Sequence, residues 1–285
     1  MDAAPAPASL TLDDDDFDRF REFFYQETGI LFGPTKRYFV DKRIAACIDL
    51  SGRGDFGRWF SDIRRGKDPD GMQVLISRLT VNETYFMRES YQFDALVSTV
   101  LPAVERARPG RSVRILCLPC STGEEPYSVA LTLLERWPSL AHVDVEIVGA
   151  DIDHNAVAAA KSGSYGPRSV QRIPPATRRR YFEDTGTGSL QISADLRAAV
   201  DFRIANVFDA AQMRAYRDFD IIFCRNMLIY FDTGSARQAV DNLFGALRPG
   251  GYLFLGHSES MSRISSVFDP VRLAEGIVYQ RPEAR

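Results

Sequence analysis

The stretch from Val113 to Ser128 constrains the fold of this chain more than any other. It opens with an apolar, β-prone run, breaks into small polar residues around Gly123, and resumes with the spacing of a helix. A strand, a tight glycine turn and a helix in this order form the first unit of a nucleotide-binding α/β sheet. The stretch therefore predicts an α/β fold with a ligand site at the carboxyl end of this strand.

Two acids at the turn narrow the kind of ligand. The turn lacks a full G-x-G-x-x-G fingerprint, and Glu124 and Glu125 occupy the place where a pyrophosphate would meet the helix. Carboxylates there repel phosphate, so a neutral or cationic nucleoside fits better, and S-adenosylmethionine is the obvious candidate. A buried turn with acids that stabilise the helix dipole would give the same pattern. On this stretch alone both interpretations stay open.

Composition limits the other classes of function. With 285 residues, of which 45% are hydrophobic and 26% charged, the chain is an ordinary globular protein of one large or two modest domains. Its net charge of −3 gives no support to a nucleic-acid partner. No apolar run reaches the length of a membrane span, and the N-terminus lacks the segments of a signal peptide. We expect a disordered tail over 1–12, a cytoplasmic location and no membrane insertion.

Cysteine usage gives little reason to expect metal or redox chemistry. One pair, Cys117 and Cys120, has the C-x-x-C spacing, whereas a structural zinc site needs four ligands. The residues after the pair depart from a thioredoxin-type motif. We expect these two, Cys47 and Cys224 to be small buried hydrophobic residues in a reducing compartment, and we expect no metal.

Residues 13–80 have the pattern of a small helical domain. Aspartates at 13–16 precede phenylalanines at helical spacing, and Gly29 ends this first helix. No segment before residue 80 alternates apolar and polar residues as a half-buried strand does. Further helices are predicted near 34–50, 55–65 and 70–79.

The second of these helices carries a basic cluster. Its members are Lys36, Arg37, Lys42 and Arg43. Such a cluster is either a solvated helix face or a docking site for an acidic partner. The residues themselves leave both interpretations open.

After residue 80 the pattern changes twice. A polar and aromatic stretch, 81–92, is predicted to be a linker, and an amphipathic helix follows to about Arg106. A domain over 93–285 then alternates strands with helices, and its continuous apolar runs are typical of strands buried on both faces of a mostly parallel sheet. Strands are predicted at 113–118, 144–150, 200–205, 220–224, 251–256 and 277–281, and helices at 125–136, 154–161 and 233–247. The segment 164–199 interrupts them as an insertion with a helix and a short hairpin.

Polar residues follow several of the predicted strands. Asp151 ends the second strand, where an acid typically binds a ribose diol. The alternative is that Asp151 caps the helix over 154–161, a role that Asp153 could serve instead. Asn206 follows the third strand, where it either reads an adenine edge or caps a turn. Arg225, Asn226 and Tyr230 follow the fourth. Because the carboxyl ends of parallel strands meet at one edge of a sheet, these side chains are expected to lie close together.

Five motifs carry a resemblance to a known family. They are LTVNETYFMRE, PCSTGEEPYS, GADIDHNAV, FDIIFCRNMLIYFD and LRPGGYLFLGHSES. In this order and spacing they resemble the chemotaxis receptor-glutamate methyltransferases, the CheR family, from the helical domain nearly to the end of the chain. The resemblance implies an α/β, Rossmann-like S-adenosylmethionine-dependent methyltransferase sheet with an N-terminal all-helical domain and a small β insertion.

The resemblance also implies roles for particular residues. The family's cofactor contacts carry over to Asn82, Thr84, Arg88, Glu124, Asp151, Asn206, Val207, Arg225 and Asn226. An arginine and a tyrosine at the methyl-transfer point correspond to Arg88 and Tyr230. The family's basic receptor-recognition helix corresponds loosely to the basic cluster described above.

Two features depart from the family pattern. The usual Phe-Phe before Arg-Glu is Phe86-Met87 here, and the insertion's loop from Glu183 to Ser189 looks short. Some family members use this insertion to grip a tethering peptide at the receptor C-terminus. For this chain the tethering contact is left open.

The implied reaction transfers a methyl group from S-adenosylmethionine to glutamates in the cytoplasmic helical region of chemoreceptors, and leaves S-adenosylhomocysteine. We expect a monomer to perform it. A glutamate with a pKa of about 4.3 is ionised at pH 7, so no general base is needed, which suits a chain with 3 histidines. The alternatives are a methyltransferase with another substrate and a non-catalytic scaffold that binds the cofactor.

Overall fold

The computed structural model describes residues 12–283. The chain divides into two compact units, Met1–Val81 and Asn82–Arg285. The predicted tail lies outside the described residues except for Leu12, which is buried. The separate linker over 81–92 stays a prediction.

The first unit is helical in all its longer elements, as the spacing of its apolar residues predicts. In α1 the Asp13 side chain accepts a hydrogen bond from the Asp16 backbone N–H at 2.7 Å, and Gly29 ends the helix with φ 76°. Phe20, Phe24 and Phe60 are buried, and each such side chain contributes roughly 1.5–3 kcal/mol through burial. The helices are α1 Asp14–Thr28, α2 Arg37–Ser51, α3 Phe56–Arg64 and α4 Pro69–Leu79.

The second unit alternates strands and helices around one large sheet. Its helices are α5 Tyr91–Ala95, α6 Leu101–Ala107, α7 Glu124–Arg136, α8 His154–Ser162, α9 Pro167–Val170, α10 Pro175–Tyr181, α11 Ala194–Ala198, α12 Ala210–Met213 and α13 Thr233–Ala246. Its strands are β1 Val113–Cys117, β2 Val145–Asp151, β3 Ser164–Tyr165, β4 Phe182–Asp184, β5 Leu190–Ile192, β6 Val200–Ile204, β7 Phe219–Cys224, β8 Leu247–Leu255, β9 Asp269–Leu273 and β10 Gly276–Gln280.

The large sheet has seven strands in the order β6-β2-β1-β7-β8-β10-β9. The first five in that order run parallel, and β10 and β9 are antiparallel to their neighbours. The direction of winding reverses between β1 and β7. In open α/β sheets the carboxyl ends of the strands at such a reversal are where ligands bind.

Both faces of this sheet are covered. Ile115 and Cys117 of β1 belong to one apolar cluster, whereas Leu116 belongs to the other. Ile221 and Ile222 of β7 divide between the same two clusters. This alternation explains why the central strands read as continuous apolar runs rather than as alternating ones.

The insertion forms a second, three-stranded sheet in the order β3-β5-β4. The predicted helix and hairpin are present as α10, β4 and β5. The prediction was incomplete, since β3, α9 and α11 also belong to this region. A two-residue strand such as β3 has too little pattern to be recognised in the sequence.

Three other elements differ from their predictions. β8 begins at Leu247 rather than near 251, because Leu247 pairs with Phe219 before the register shifts. β9 was missed, and it forms a terminal hairpin with β10. Between α5 and α6 the chain makes a π-helical turn, Leu96–Val100. Within residues 12–283, no helix has the length and apolar character needed to span a membrane.

Candidate active site

The turn after β1 is shaped by one glycine. Gly123 has φ 95°, and a Cβ placed there would lie 2.8 Å from the Ala160 Cβ. Any other residue would therefore be strained both by its backbone angle and by contact with α8. This close approach brings the start of α7 to the edge where β1 and β2 end.

Glu124 opens α7 as a buried side chain. Its carboxylate accepts hydrogen bonds from the Thr122 hydroxyl at 2.6 Å and from the Ser169 hydroxyl at 2.7 Å. Ser169 belongs to the insertion, and its backbone carbonyl accepts from the Phe86 N–H at 2.9 Å. The turn, the insertion and the segment before Arg88 are thus joined through one serine.

Asp151 lies buried at the carboxyl end of β2. It accepts hydrogen bonds from the backbone N–H groups of Ser121 at 2.8 Å and Asp153 at 3.0 Å. Burial raises the pKa of Asp151 to about 6, although these hydrogen bonds oppose the rise. The capping role falls to Asp153, which accepts from the backbone of α8 and from the Asn82 amide at 2.7 Å. Asp151 therefore does not cap the helix.

Three other predicted cofactor contacts lie on nearby segments. The Asn206 side-chain oxygen accepts from the Phe208 N–H at 3.0 Å and so caps a turn after β6. Val207 is buried, and its carbonyl accepts from the Asn242 amide at 2.8 Å. Thr84 is half-buried. The contacts of these three residues with the cofactor stay predictions.

Arg225 is the centre of a buried ionic network. Its guanidinium donates to the Glu125 carboxylate at 2.9 Å and to the Arg88 carbonyl at 2.7 Å, and it forms an ion pair with Glu89 at 3.3 Å. Only 2% of its side chain is exposed. The network therefore joins the segment after β7, the start of α7 and the segment that carries Arg88.

The two acids of this network are perturbed in opposite directions. Burial raises the pKa of Glu125, against the opposing effect of Arg225. Burial alone would also raise the pKa of Glu89. There the charge of Arg225 and the hydrogen bonds from His257 and Tyr91 outweigh it, and the pKa is lowered. Glu89 therefore holds its negative charge beside Arg225.

Arg88 sits between two residues with left-handed backbone. Met87 has φ 58° and Glu89 φ 55°, a region that costs side chains other than glycine of order 1–3 kcal/mol. The Arg88 guanidinium donates to the Glu83 carbonyl at 2.7 Å and lies 5.8 Å from the centre of the Tyr85 ring. The strained backbone is held in place by the bond from Arg225 to the Arg88 carbonyl.

Glu259 is a residue of the candidate site that the sequence reasoning missed. Its carboxylate accepts from the N–H groups of Asn226 at 2.8 Å, Met227 at 2.9 Å, Leu228 at 2.7 Å and Gly256 at 2.7 Å. Four backbone donors on one carboxylate fix the loop after β7. The only sequence signal was an acid in the last of the five motifs.

Tyr230 ends the loop that Glu259 fixes. The residue is 40% exposed, so it is open to a partner. Asn226 precedes it with φ 58°, which asparagine tolerates better than most residues. The structure thus brings Arg88 and Tyr230 onto two segments that Arg225 and Glu259 hold, and their roles in methyl transfer stay predictions.

The predicted basic cluster on the first unit divides into two kinds of residue. Lys36, Lys42 and Arg43 are exposed. Arg37 is half-buried, forms ion pairs with Asp14 and Asp41, and lies over the Phe17 ring. Arg37 therefore has a structural role within its own unit that the sequence reasoning overlooked, and recognition by the cluster stays a prediction.

The cysteines are buried, as predicted. Burial raises the pKa of the Cys117 and Cys120 thiols well above their ordinary value. Both therefore remain neutral thiols near pH 7 and pack as small apolar side chains.

The donor set fits a nucleoside with a cationic group. Buried acids stand at the ends of β1 and β2, and no lysine or arginine occurs from Cys117 to Ser128 to neutralise a phosphate. A ribose diol at Asp151 and a positive charge at Glu124 stay predictions. The fold and the site together define a methyltransferase that takes its methyl group from S-adenosylmethionine.

Comparison with known proteins gives the family. The model of the CheR methyltransferase SAM binding domain matches residues 82–277, and the model of its all-alpha domain matches residues 15–80. Chemotaxis protein methyltransferase 2 of Vibrio cholerae is 46% identical over 96% of this chain and 95% of its own length. Chemotaxis protein methyltransferase 1 of Pseudomonas aeruginosa is 33% identical over 93% of this chain and 97% of its own. The chain belongs to the CheR methyltransferase family.

Proposed function

We propose that this enzyme transfers the methyl group of S-adenosylmethionine to glutamate side chains of chemoreceptors and so forms glutamate methyl esters. The observation that carries the proposal is the likeness to chemotaxis protein methyltransferases over nearly the whole chain. The buried acids at the carboxyl edge of the sheet support it, because they suit this cofactor. The reaction would serve adaptation in chemotaxis, in the cytoplasm.

The chemistry requires little of the protein beyond positioning. When bound, the cofactor supplies an electrophilic methyl group on its sulfonium sulfur. An ionised glutamate is already the nucleophile, so the site needs no general base. The contact of His257 with Glu89 at 2.8 Å agrees with a role in the ionic network rather than in deprotonation.

Arg88 and Tyr230 are the residues we propose at the methyl-transfer point. A guanidinium orients an incoming carboxylate through charge-assisted hydrogen bonds. It must release that carboxylate as its charge disappears in the ester, so orientation matters more than tight binding. The exposure of Tyr230 leaves its hydroxyl accessible to the same carboxylate.

We further propose that Lys36, Lys42 and Arg43 of the first unit contact the receptor helices and that the enzyme acts as a monomer. Arg37 contributes less because it is already paired with acids of its own unit. Whether the β insertion also holds a tethering peptide is tested by comparing receptors with and without their C-terminal segment.

The decisive experiment is transfer of labelled methyl groups to membranes that contain chemoreceptors. We expect label on the receptor that is released as methanol by mild base, since carboxyl methyl esters hydrolyse there. Base-stable label, or binding of S-adenosylhomocysteine with no transfer to any receptor, would contradict the proposal.

A further inference from the structure

Positive charge is concentrated in one part of the second unit. Residues 154–182 contain 6 of the 35 lysines and arginines of the chain and none of its 38 acids. The chain as a whole has a net charge of −3, so this segment stands out against an acidic background. A local basic surface of this kind attracts acidic partners.

Most of these arginines are available to a partner. Arg168, Arg172 and Arg179 are exposed and Arg178 half-exposed. None of the four forms an ion pair with an acid among residues 12–283, whereas Arg180 pairs with Glu135 at 3.1 Å. The helix dipole explains arginines in the last turn of α10. It does not explain Arg168 and Arg172, which belong to α9 and to the turn after it.

Arg172 links this surface to the methyl-transfer site. Its guanidinium lies 4.6 Å from the centre of the Tyr85 ring, and the guanidinium of Arg88 lies 5.8 Å from the centre of the same ring. The backbone around Arg172 is fixed by the bond from Phe86 to Ser169 and by the Ser169–Glu124 hydrogen bond. Two guanidiniums are thus held around one aromatic side chain, and only one of them belongs to the predicted catalytic pair.

We propose that Arg168, Arg172, Arg178 and Arg179, the insertion arginine face, form a second receptor-docking surface. It binds acidic side chains that neighbour the target glutamate on a receptor helix, while Arg88 takes the target itself. Guanidiniums suit this task because their planar fork binds carboxylates in a bidentate manner. This inference rests on the proposed function, and it assigns part of substrate recognition to the second unit.

A charge reversal tests the surface. The variant Arg172→Glu is compared with Arg111→Glu in methyl transfer to receptor membranes over a range of receptor concentrations. Arg111 is a matched control because it is also exposed, has no acid partner within the described part of the chain, and precedes β1 at the opposite edge of the sheet. A triple variant, Arg168→Glu with Arg172→Glu and Arg179→Glu, extends the series.

The expected change lies in the KM for receptor. We expect it to rise about fivefold for Arg172→Glu and about 50-fold for the triple variant, since each lost or reversed charge pair costs roughly a factor of a few. The kcat, and the Kd for S-adenosylhomocysteine measured by calorimetry, stay within about twofold of wild type, and Arg111→Glu is unchanged. Raised salt increases the KM for receptor more in wild type than in the triple variant, because salt screens the charges that the triple variant lacks.

Other outcomes overturn the inference. An unchanged receptor KM in the triple variant, or an equal loss in Arg111→Glu, would remove the docking surface and leave the proposed function intact. A wild type that transfers no base-labile methyl would overturn both. Sedimentation with protein-free phosphatidylglycerol vesicles is expected to give no binding. Binding there that the triple variant abolishes would assign the face to the membrane surface instead.

Discussion

The two sides of the active site are built in different ways. On the cofactor side, Glu124, Asp151 and Arg225 are buried and held by hydrogen bonds to other parts of the second unit. On the receptor side, Arg172 and Tyr230 are exposed, and Tyr230 has no hydrogen bond through its hydroxyl among residues 12–283. We infer that the proposed cofactor side is held in place by these bonds and that the proposed receptor side would gain its contacts from the partner.

This difference matches what each ligand requires. A small cofactor must be bound in one orientation, so its contacts are worth fixing in advance. A receptor helix brings its own rigid surface and charge. Substitutions on the cofactor side should therefore change stability or cofactor affinity, and those on the receptor side should change methyl transfer alone.

The largest effect is expected from Arg225→Met. Removal of the guanidinium leaves Glu125 and Glu89 buried without a counter-charge, which costs about 3–5 kcal/mol of unfolding free energy. Urea denaturation measures that cost. The double variant Arg225→Met with Glu125→Gln should recover about half of it, and a single variant as stable as wild type would contradict the role of the network.

Arg88→Ala tests the opposite side. We expect kcat for methyl transfer to fall about 100-fold because one charge-assisted contact to the substrate carboxylate is lost. The melting temperature should stay within about 2 °C, since among residues 12–283 the Arg88 side chain bonds only to its own segment. Arg88→Lys keeps the charge without the fork and should retain an intermediate rate. Wild-type turnover in Arg88→Ala would exclude its role.

Glu259→Gln should have the next largest effect. An amide has one acceptor oxygen where the carboxylate has two, so some of the four backbone donors lose their partner. We expect kcat to fall about tenfold as the loop before Tyr230 loosens. Glu275→Gln, far along the chain from this loop, serves as the control. Equal losses in both variants would indicate a general effect of lost charge.

Asp151 makes cofactor affinity dependent on pH. Its pKa is raised to about 6, so the carboxylate that a ribose diol would bond is charged above that pH and protonated below it. Affinity for S-adenosylhomocysteine should be full above pH 6 and fall by up to about tenfold per pH unit below it. Calorimetry on Asp151→Asn, which cannot titrate, should give a flat profile. A flat wild-type profile would contradict the ribose assignment.

The smallest effect is expected for Tyr230→Phe. Loss of one hydroxyl contact should lower kcat about threefold to tenfold and leave cofactor affinity unchanged. The fold should be unaffected because the ring remains. An unchanged rate would assign Tyr230 to packing.

Sequence reasoning predicted the elements that are long and strongly patterned. Continuous apolar runs predicted the central strands β1, β2 and β7. Apolar residues at helical spacing predicted the helices of the first unit. It missed β3 and β9, which are short or lie at an edge, where little apolar pattern is required. The apolar pattern of a helix or strand is set by neighbouring residues in the sequence. The pairing partners of short or edge strands are set by the tertiary structure, so such strands are hard to predict.

The residues of the candidate site also divide into those that the sequence predicts and those that it does not. The sequence predicted that Glu124 and Asp151 follow β1 and end β2, and both lie there, while their contacts with the cofactor stay predictions. The contacts of Glu259 with the loop after β7 and of Arg172 with the Tyr85 ring could not be predicted, since these partners lie 31–33 and 87 positions away in the chain. Arg37 was predicted to be a docking residue because of its basic sequence neighbours. Its ion pair with Asp14 gives it a structural role, and that pair cannot be read from the sequence.

Ser169 connects the candidate cofactor site to the segment that carries Arg88. Its hydroxyl contacts Glu124 on the cofactor side, its carbonyl holds the Phe86 N–H, and it lies within the insertion. A cofactor that shifts Glu124 therefore acts directly on the segment that presents Arg88 and Arg172. Coupling of this kind is reciprocal, so a receptor on the enzyme changes cofactor affinity by the same factor as the cofactor changes receptor affinity. Exchange of spent cofactor would then depend on whether a receptor is still engaged.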